Sequence, residues 1–366
     1  MSNGFLLSRA LLKFQTDSEG LLAELSAVTR TPDGNLWLGS DEFTTLERLS
    51  PMGDGVYGNH KTFHLQEFIQ LFDNESEIDI EGLAYCDGYL WVVGSHSFKR
   101  TQAKGKKQHK DIQRLSEIEH DPNRSLLARL PILNGEIVHT YARSDNKGDA
   151  LTAASLKQVN GHNLLLEALA EDEHLGLFLK MQLPSKDNGF DVEGIAVSGS
   201  KIFLGLRGPV LRGWAMILEI EVEDAEPGEL TLKDLGEGCL YRKHFLDLNG
   251  QGVRELCFYE GDLLLLAGPT MELEGAMQVF RLEDVLEHTN DTLWSQESGR
   301  LKVLFDLPFI IGSDHAEGLT LVPCLGYDDG LMVVYDSPDD SRRPDPKSIF
   351  ADIFQLPKQT SNTQID

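Results

Sequence analysis

Five stretches of this chain share one pattern, and that repetition constrains the fold more than any other feature. Each stretch starts at a polar or acidic residue, passes through Glu-Gly or a variant, and continues as a short apolar segment. A Gly/Asp turn follows, then a second apolar segment. The five starts are Ala23-Glu24-Leu25-Ser26-Ala27-Val28, Ile80-Glu81-Gly82-Leu83-Ala84-Tyr85, Val192-Glu193-Gly194-Ile195-Ala196-Val197, Val253-Arg254-Glu255-Leu256-Cys257-Phe258 and Ala316-Glu317-Gly318-Leu319-Thr320-Leu321. Turns such as Asp33-Gly34, Asp87-Gly88, Gly199-Ser200, Glu260-Gly261 and Asp329-Gly330 carry residues that tolerate positive φ, the signature of tight hairpins. The apolar segments show little polar alternation, so both faces of each strand are expected to be covered. Repeated inner hairpins of this kind predict an all-β chain folded as a β-propeller.

Aligning Glu24, Glu81, Glu193, Arg254 and Glu317 gives a unit of about 60 residues, the size of a four-stranded blade with generous loops. The exception is the interval between Glu81 and Glu193, nearly twice as long. Further strands are expected at 44–49, 61–68, 125–133, 136–143, 214–222, 241–248, 276–282, 300–307 and 348–356. The last unit lacks an outer strand, which residues 5–14 can supply, closing the ring at its two chain ends and removing an exposed edge. Five blades are preferred, with six as the alternative. The long interval reads as helical insertion between blades 2 and 3. Ile112, Leu115 and Ile118 have helical spacing up to Asp121-Pro122, and residues 149–179 are rich in Leu and Ala with few β-branched residues. The chain 1–366 is thus one propeller domain with a basic helical loop at 99–122, a helical insertion at 147–190 and a disordered polar tail at 359–366.

Charge narrows the partners. Among 366 residues, 59 are Asp or Glu and 33 are Lys or Arg, a net charge of −26. Such a surface repels phosphate backbones, so no general nucleic-acid binding is expected. No apolar run approaches a membrane span, and the N-terminus lacks the basic start of a secretory signal. The four cysteines are scattered, which suits free thiols in the cytoplasm. A monomer that binds a small anionic ligand and no membrane is the expectation. One segment departs from this balance: Lys99–Lys110 holds six basic residues in twelve. It reads as a solvated loop, an arm for a polyanion, or a lid over the channel mouth.

The stretch Asp191-Val192-Glu193-Gly194-Ile195-Ala196 followed by Gly205-Leu206-Arg207-Gly208-Pro209-Val210-Leu211-Arg212-Gly213-Trp214-Ala215 resembles a bacterial family catalogued as a domain of unknown function. The resemblance covers nearly the whole chain and includes Gly94-Ser95-His96-Ser97. The recurring Glu-Gly-Leu/Ile-Ala/Thr signature also resembles the wider phytase-like and esterase-like propeller group. The closer family implies a propeller and no particular reaction. The wider group implies calcium and hydrolysis of esters or phosphoesters, an analogy of fold. The chain has no G-x-S-x-G elbow, H-E-x-x-H motif or P-loop.

In a propeller the inner strands line a central channel, so their starts converge at one mouth. That gathers Glu24, Asp79, Glu81, Asp191, Glu193, Glu255, Asp314, His315 and Glu317. Loops leaving the second strands add Asp41, Glu42, His96, Arg207, Arg212 and Asp336. So many carboxylates repel one another unless cations intervene. Asp79, Glu81, Asp191, Glu193 and Glu317 form an oxygen-only set suited to calcium; without calcium no cofactor is expected. The alternative for these glutamates is hydrogen bonding to backbone N–H groups that holds blades in register. Arg207, Arg212 and His315 are candidate substrate ligands, because guanidinium forks match phosphate and carboxylate; salt bridges to nearby acids are the alternative for the arginines. His96, with Glu81 and Glu193, is the candidate for acid–base catalysis, against a structural hydrogen-bonding role. The functional expectation is a metal-dependent hydrolase acting on an anionic phosphoester or ester at the channel mouth. A non-catalytic scaffold binding a protein or small ligand is the alternative, and lactonase, isomerase or lyase chemistry completes the range.

Overall fold

The hairpins form where the repeat places them, in a computed structural model that describes residues 4–15, 19–73, 76–142, 150–271 and 273–357. An N-terminal strand, β1 (Leu6–Lys13), precedes a first antiparallel unit of β2 (Leu25–Arg30), β3 (Leu36–Ser40), β4 (Thr45–Gly53) and β5 (Val56–His64). The second unit begins with β6 (Ile80–Cys86) and β7 (Tyr89–Gly94). A short pair, β8 (Lys99–Arg100) and β9 (Ile118–Glu119), then brackets helix α1 (Gln108–Arg114). The unit is completed by β10 (Leu127–Leu133) and β11 (Ala154–Leu156). The third comprises β12 (Asp191–Ser198), β13 (Lys201–Leu211), β14 (Trp214–Asp224) and β15 (Arg242–Asp247). The fourth comprises β16 (Gly252–Tyr259), β17 (Asp262–Gly268), β18 (Gln278–Leu282) and β19 (Leu301–Asp306). The last comprises β20 (His315–Cys324), β21 (Tyr327–Asp336) and β22 (Ser348–Gln355). Beside β22 lies β1, paired antiparallel from Leu6↔Phe354 to Lys13↔Ser348.

The first strands of these units pack against one another in a cycle: β2 with β6, β6 with β12, β12 with β16, β16 with β20, and β20 with β2. The Glu-Gly signature explains the contact. A Cβ added at Gly82 would lie 2.9 Å from the Ile195 nitrogen, one at Gly194 2.8 Å from Glu255 Cα, and one at Gly318 2.9 Å from the Val28 nitrogen. Glycine there lets the neighbouring inner backbone approach closely. The residue before each glycine lies at a register shift, between Ile80 and Gly82, Val192 and Gly194, and Ala316 and Leu319. Such a bulge leaves one residue out of the ladder and re-aims its side chain.

The same irregularity falls between Leu25 and Ala27 and between Val253 and Glu255. Ser26, Glu81, Glu193, Arg254 and Glu317 are therefore the equivalent positions. The sequence alignment put Glu24 in that set; the bulge shows it to be two residues out of register, and the Ser26 hydroxyl there donates to the Ile80 carbonyl.

Between units the core is apolar on both strand faces, as the missing alternation implied. Leu263, Leu264, Leu265, Leu266 and Ala267 are all fully buried, each leucine contributing about 1.5–3 kcal/mol of transfer free energy. The long interval differs from expectation. Residues 136–137 turn back on β10, and β11, within the segment read as helical, supplies its other neighbour. Among the described residues of 147–190, α-helix is confined to α2 (Leu164–Leu169) and α3 (Gly176–Lys180), with a single 3-10 turn at Ser185–Asp187; residues 143–149 and the tail 359–366 lie outside the described residues. No helix among the described residues is long and apolar enough to cross a membrane.

Candidate functional site

The inner strands set two charged tiers at one end of the channel. Asp79, Asp191 and His315 stand two residues before Glu81, Glu193 and Glu317, at the same end of their inner strands. The charges are ordered as a chain across three units. Arg207 Nη2 lies 2.6 Å from Asp191 Oδ2, and its Nη1 lies 2.7 Å from Glu193 Oε1. Arg254 Nε lies 3.1 Å from Glu193 Oε2, and its Nη2 pairs with Glu317. Asp191, Arg207, Glu193, Arg254 and Glu317 thus alternate in sign. On the far side, Arg124 pairs with Asp79 at 2.8 Å and with Glu77, and donates to Ser97 Oγ at 3.0 Å.

Burial outweighs these attractions for several acids. The Asp191 carboxyl is pushed up to about 7 despite Arg207 beside it. Asp41 is pushed up to about 8 by burial and by the charges of Asp79, Glu24 and Asp336. Glu81 has no ion-pair partner among the described residues; burial, then repulsion from Glu193 and Asp79, holds its carboxyl well above the usual range. Glu255 accepts hydrogen bonds from the Ile195 and Leu256 nitrogens, at 3.3 and 2.8 Å, and is raised by burial. Glu255 therefore fills the inter-unit backbone role weighed for these glutamates.

His96 does not stand free. Its Nδ1–H donates to the Gly94 carbonyl at 2.7 Å, and its Nε2 accepts from Asn163 Nδ2 at 2.8 Å. Asn163 also donates to the Ser125 carbonyl, and its Oδ1 caps α2 by accepting from the Leu165 and Leu166 nitrogens. With both ring nitrogens engaged, and burial lowering its pKa to about 4, His96 ties α2 to the ring and has no nitrogen left for proton transfer.

Arg212 is the second correction. Arg212 (φ 50) and Gly213 (φ 93) form the two-residue turn between Leu211 and Trp214, so Arg212 is an exposed hairpin tip that does not meet Arg207. The second guanidinium at the mouth is Arg254. Its signal was in the repeat, as the one cation at a position where three other copies carry Glu.

The calcium set fares differently from expectation too. Asp79, Asp191, Glu193 and Glu317 each take a guanidinium, leaving only Glu81 of the five. Among the described residues, no three His, Cys, Asp or Glu are arranged to hold a metal ion. Calcium requires 6–8 oxygens, and this donor set does not fit it as arranged.

His315 is where the site opens. Its Nδ1 lies 3.6 Å from Asp336 Oδ2 and its Nε2 3.4 Å from Glu274 Oε1, and Asp336 raises its pKa. With Arg207, Arg254, Glu317 and Asp336 it lines a cavity of about 160 Å³ whose other walls include Met271 and Phe309. A second cavity, about 290 Å³, occupies the opposite end of the channel.

The family described as Protein of unknown function (DUF3616) matches residues 24–352. The chain belongs to that family. No curated protein matches it in sequence. Among solved structures it is similar to virginiamycin B lyase from Staphylococcus aureus, at 12% identity and a TM-score of 0.33, covering 90% of this chain and 67% of that one. It is also similar to the calcium-binding protein regucalcin from Agrobacterium tumefaciens, at 10% identity and a TM-score of 0.38, covering 97% and 96%. A third is the PQQ-bound aldose sugar dehydrogenase from Streptomyces coelicolor, at 12% identity and a TM-score of 0.34, covering 95% and 98%. At these scores the arrangement of this family member rests on its own strand pairing.

Proposed function

We propose that the five units are the blades of a closed five-bladed propeller, and that its charged mouth hydrolyses a small ester or phosphoester bearing a negative charge. The observation that carries this reading is the cavity lined jointly by His315 and two buried guanidiniums. Arg207 and Arg254 offset charge on the ligand. His315, oriented by Asp336, moves a proton between water and the leaving oxygen. Glu81, which has no direct ion pair among the described residues, supplies a second ionisable proton. No metal step is included, because the acids are compensated by arginine.

The test is turnover of p-nitrophenyl phosphate and p-nitrophenyl acetate by the purified protein across pH. His315→Gln should lower kcat about 100-fold or more, while Arg254→Lys, which keeps charge but loses the planar fork, should raise KM. Binding of such ligands without turnover would replace the hydrolase by a scaffold. Closure has its own test. Deleting residues 1–15 removes the buried Ala10, Leu12 and Phe14 and unpairs β22, so the melting temperature should fall markedly; an unchanged one would open the ring.

A further inference from the structure

The basic segment that stood apart in the sequence is an ordered platform. The carboxylate of Asp111 accepts from the Lys104 nitrogen at 3.0 Å and the Lys107 nitrogen at 3.4 Å, and pairs with Arg114 at 2.8 Å. β8 and β9 close its base through Lys99↔Glu119 and Arg100↔Ile118. Arg100 Nε donates to Asp187 at 2.7 Å and its Nη1 to the Leu115 carbonyl at 2.6 Å, clamping the platform to the body and to its own helix end.

Two kinds of side chain are displayed on this scaffold. Lys104, Lys106, Lys107 and Lys110 are exposed and have no ion-pair partner among the described residues. Ile112, Leu115 and Ile118 are exposed by 64%, 51% and 43%. The acids on the same excursion are largely engaged: Asp111 within the loop, Glu117 with Gln113 at 3.0 Å, and Glu119 with Thr101 at 2.8 Å. The excursion thus displays both unpaired lysines and exposed aliphatic residues in a chain that is otherwise strongly acidic.

We propose that this platform docks the protein onto an anionic lipid surface. A soluble polyanion would be satisfied by the lysines alone; the three aliphatic residues need an apolar medium within reach of the same headgroups. The chain's net charge of −26 does not forbid the contact, because acids farther than a Debye length of about 8 Å are screened at physiological salt. The platform follows the second strand β7, so it leaves the ring at the end that carries the charged mouth. Ile310 and Ile311, just ahead of β20, are exposed at that end too, Ile311 by 80%. Docking would turn the mouth toward the bilayer. This proposal runs counter to the expectation that the protein makes no membrane contact, and it stands whether or not the mouth is a hydrolase.

Co-sedimentation with vesicles tests it. The full chain should pellet with vesicles containing phosphatidylglycerol at roughly one lipid in three and stay soluble with phosphatidylcholine alone. Each of Lys104→Gln, Lys106→Gln, Lys107→Gln and Lys110→Gln should lower the partition coefficient about fivefold. Ile112→Ser with Leu115→Ser should weaken it at unchanged charge. These side chains are exposed, so unchanged thermal melting will show that the variants fold. Failure to bind anionic vesicles at physiological salt overturns the proposal. So does binding that drops in the lysine variants but not in the Ile112/Leu115 variant, which would mark a soluble polyanion as the partner.

Discussion

The two ends of the channel are built by the same five strands a few residues apart, yet they are chemically opposite. At the mouth, Asp191, Arg207, Glu193, Arg254 and Glu317 form a chain of buried charges. At the other end, Leu83, Ile195, Leu256 and Leu319 line a larger cavity together with Thr29 and Arg30, about 290 Å³ against 160 Å³. Buried ion pairs are often no more stabilising than apolar residues of equal volume. Packing at the far end draws on apolar contacts, whereas packing at the mouth draws on paired charges.

The comparison breaks first at Arg207. Arg207→Met leaves Asp191 and Glu193 short of a cation and should cost roughly 3–5 kcal/mol, read by urea unfolding. Adding Glu193→Gln should recover part of that loss. Leu256→Ala at the apolar end should cost about 2–5 kcal/mol, and neutralising a mouth acid should recover none of it. If both losses respond equally to Glu193→Gln, the ends are not energetically distinct. Gly194→Ala, between the two ends, should cost about 1–3 kcal/mol by forcing β12 away from β16.

A smaller effect comes from pH. Asp191 is raised from 3.8 to about 7 and Asp41 from 3.8 to about 8. The folded state therefore binds more protons than the unfolded one between those limits, and this stability is lost as pH rises through 7–8. His96 acts in the opposite sense: lowered from 6.5 to about 4, it removes stability as pH falls through that window. Above pH 6.5 these carboxyls and His315, whose pKa Asp336 raises, act in the same sense, so the melting temperature should fall toward about pH 8.5 and Asp41→Asn should flatten the fall. The smallest expected effect is at Arg212. Arg212→Ala should change stability by no more than about 0.5 kcal/mol and leave ligand binding at the mouth untouched.

Hairpins, turns and most outer strands were legible because burial on both faces leaves an unbroken apolar run and tight turns demand particular residues. The mouth was legible as a gathering of acids. What compensates them was less so. Arg207 was visible through its motif, but Arg254 was hidden by its likeness to a degenerate repeat. The bulge at Ser26 could not be read, since an extra residue in a ladder leaves no mark in local hydrophobicity; hence the two-residue slip to Glu24. His96 looked accessible among small neighbours because its partner, Asn163, lies in a distant segment. β11 was mistaken for helix because Ala154-Ser155-Leu156 gains its strand geometry from β10 and not from its own propensity. The helical spacing of Ile112, Leu115 and Ile118 holds only in part: α1 ends at Arg114, and Ile118 lies in β9.

The pairing of β1 with β22 also governs how the chain is born. Arg9 meets Asp352, 343 positions later in the chain, at 3.0 Å. At typical synthesis rates the first strand waits on the order of tens of seconds for its partner to be made. Until then its ladder partner among the described strands is β5, at Leu11↔Val56 and Leu12↔Tyr57. Every nascent molecule thus passes through a stage in which an early hydrophobic strand lacks its main neighbour, and this sheet can be sealed only after residues 348–355 have been made.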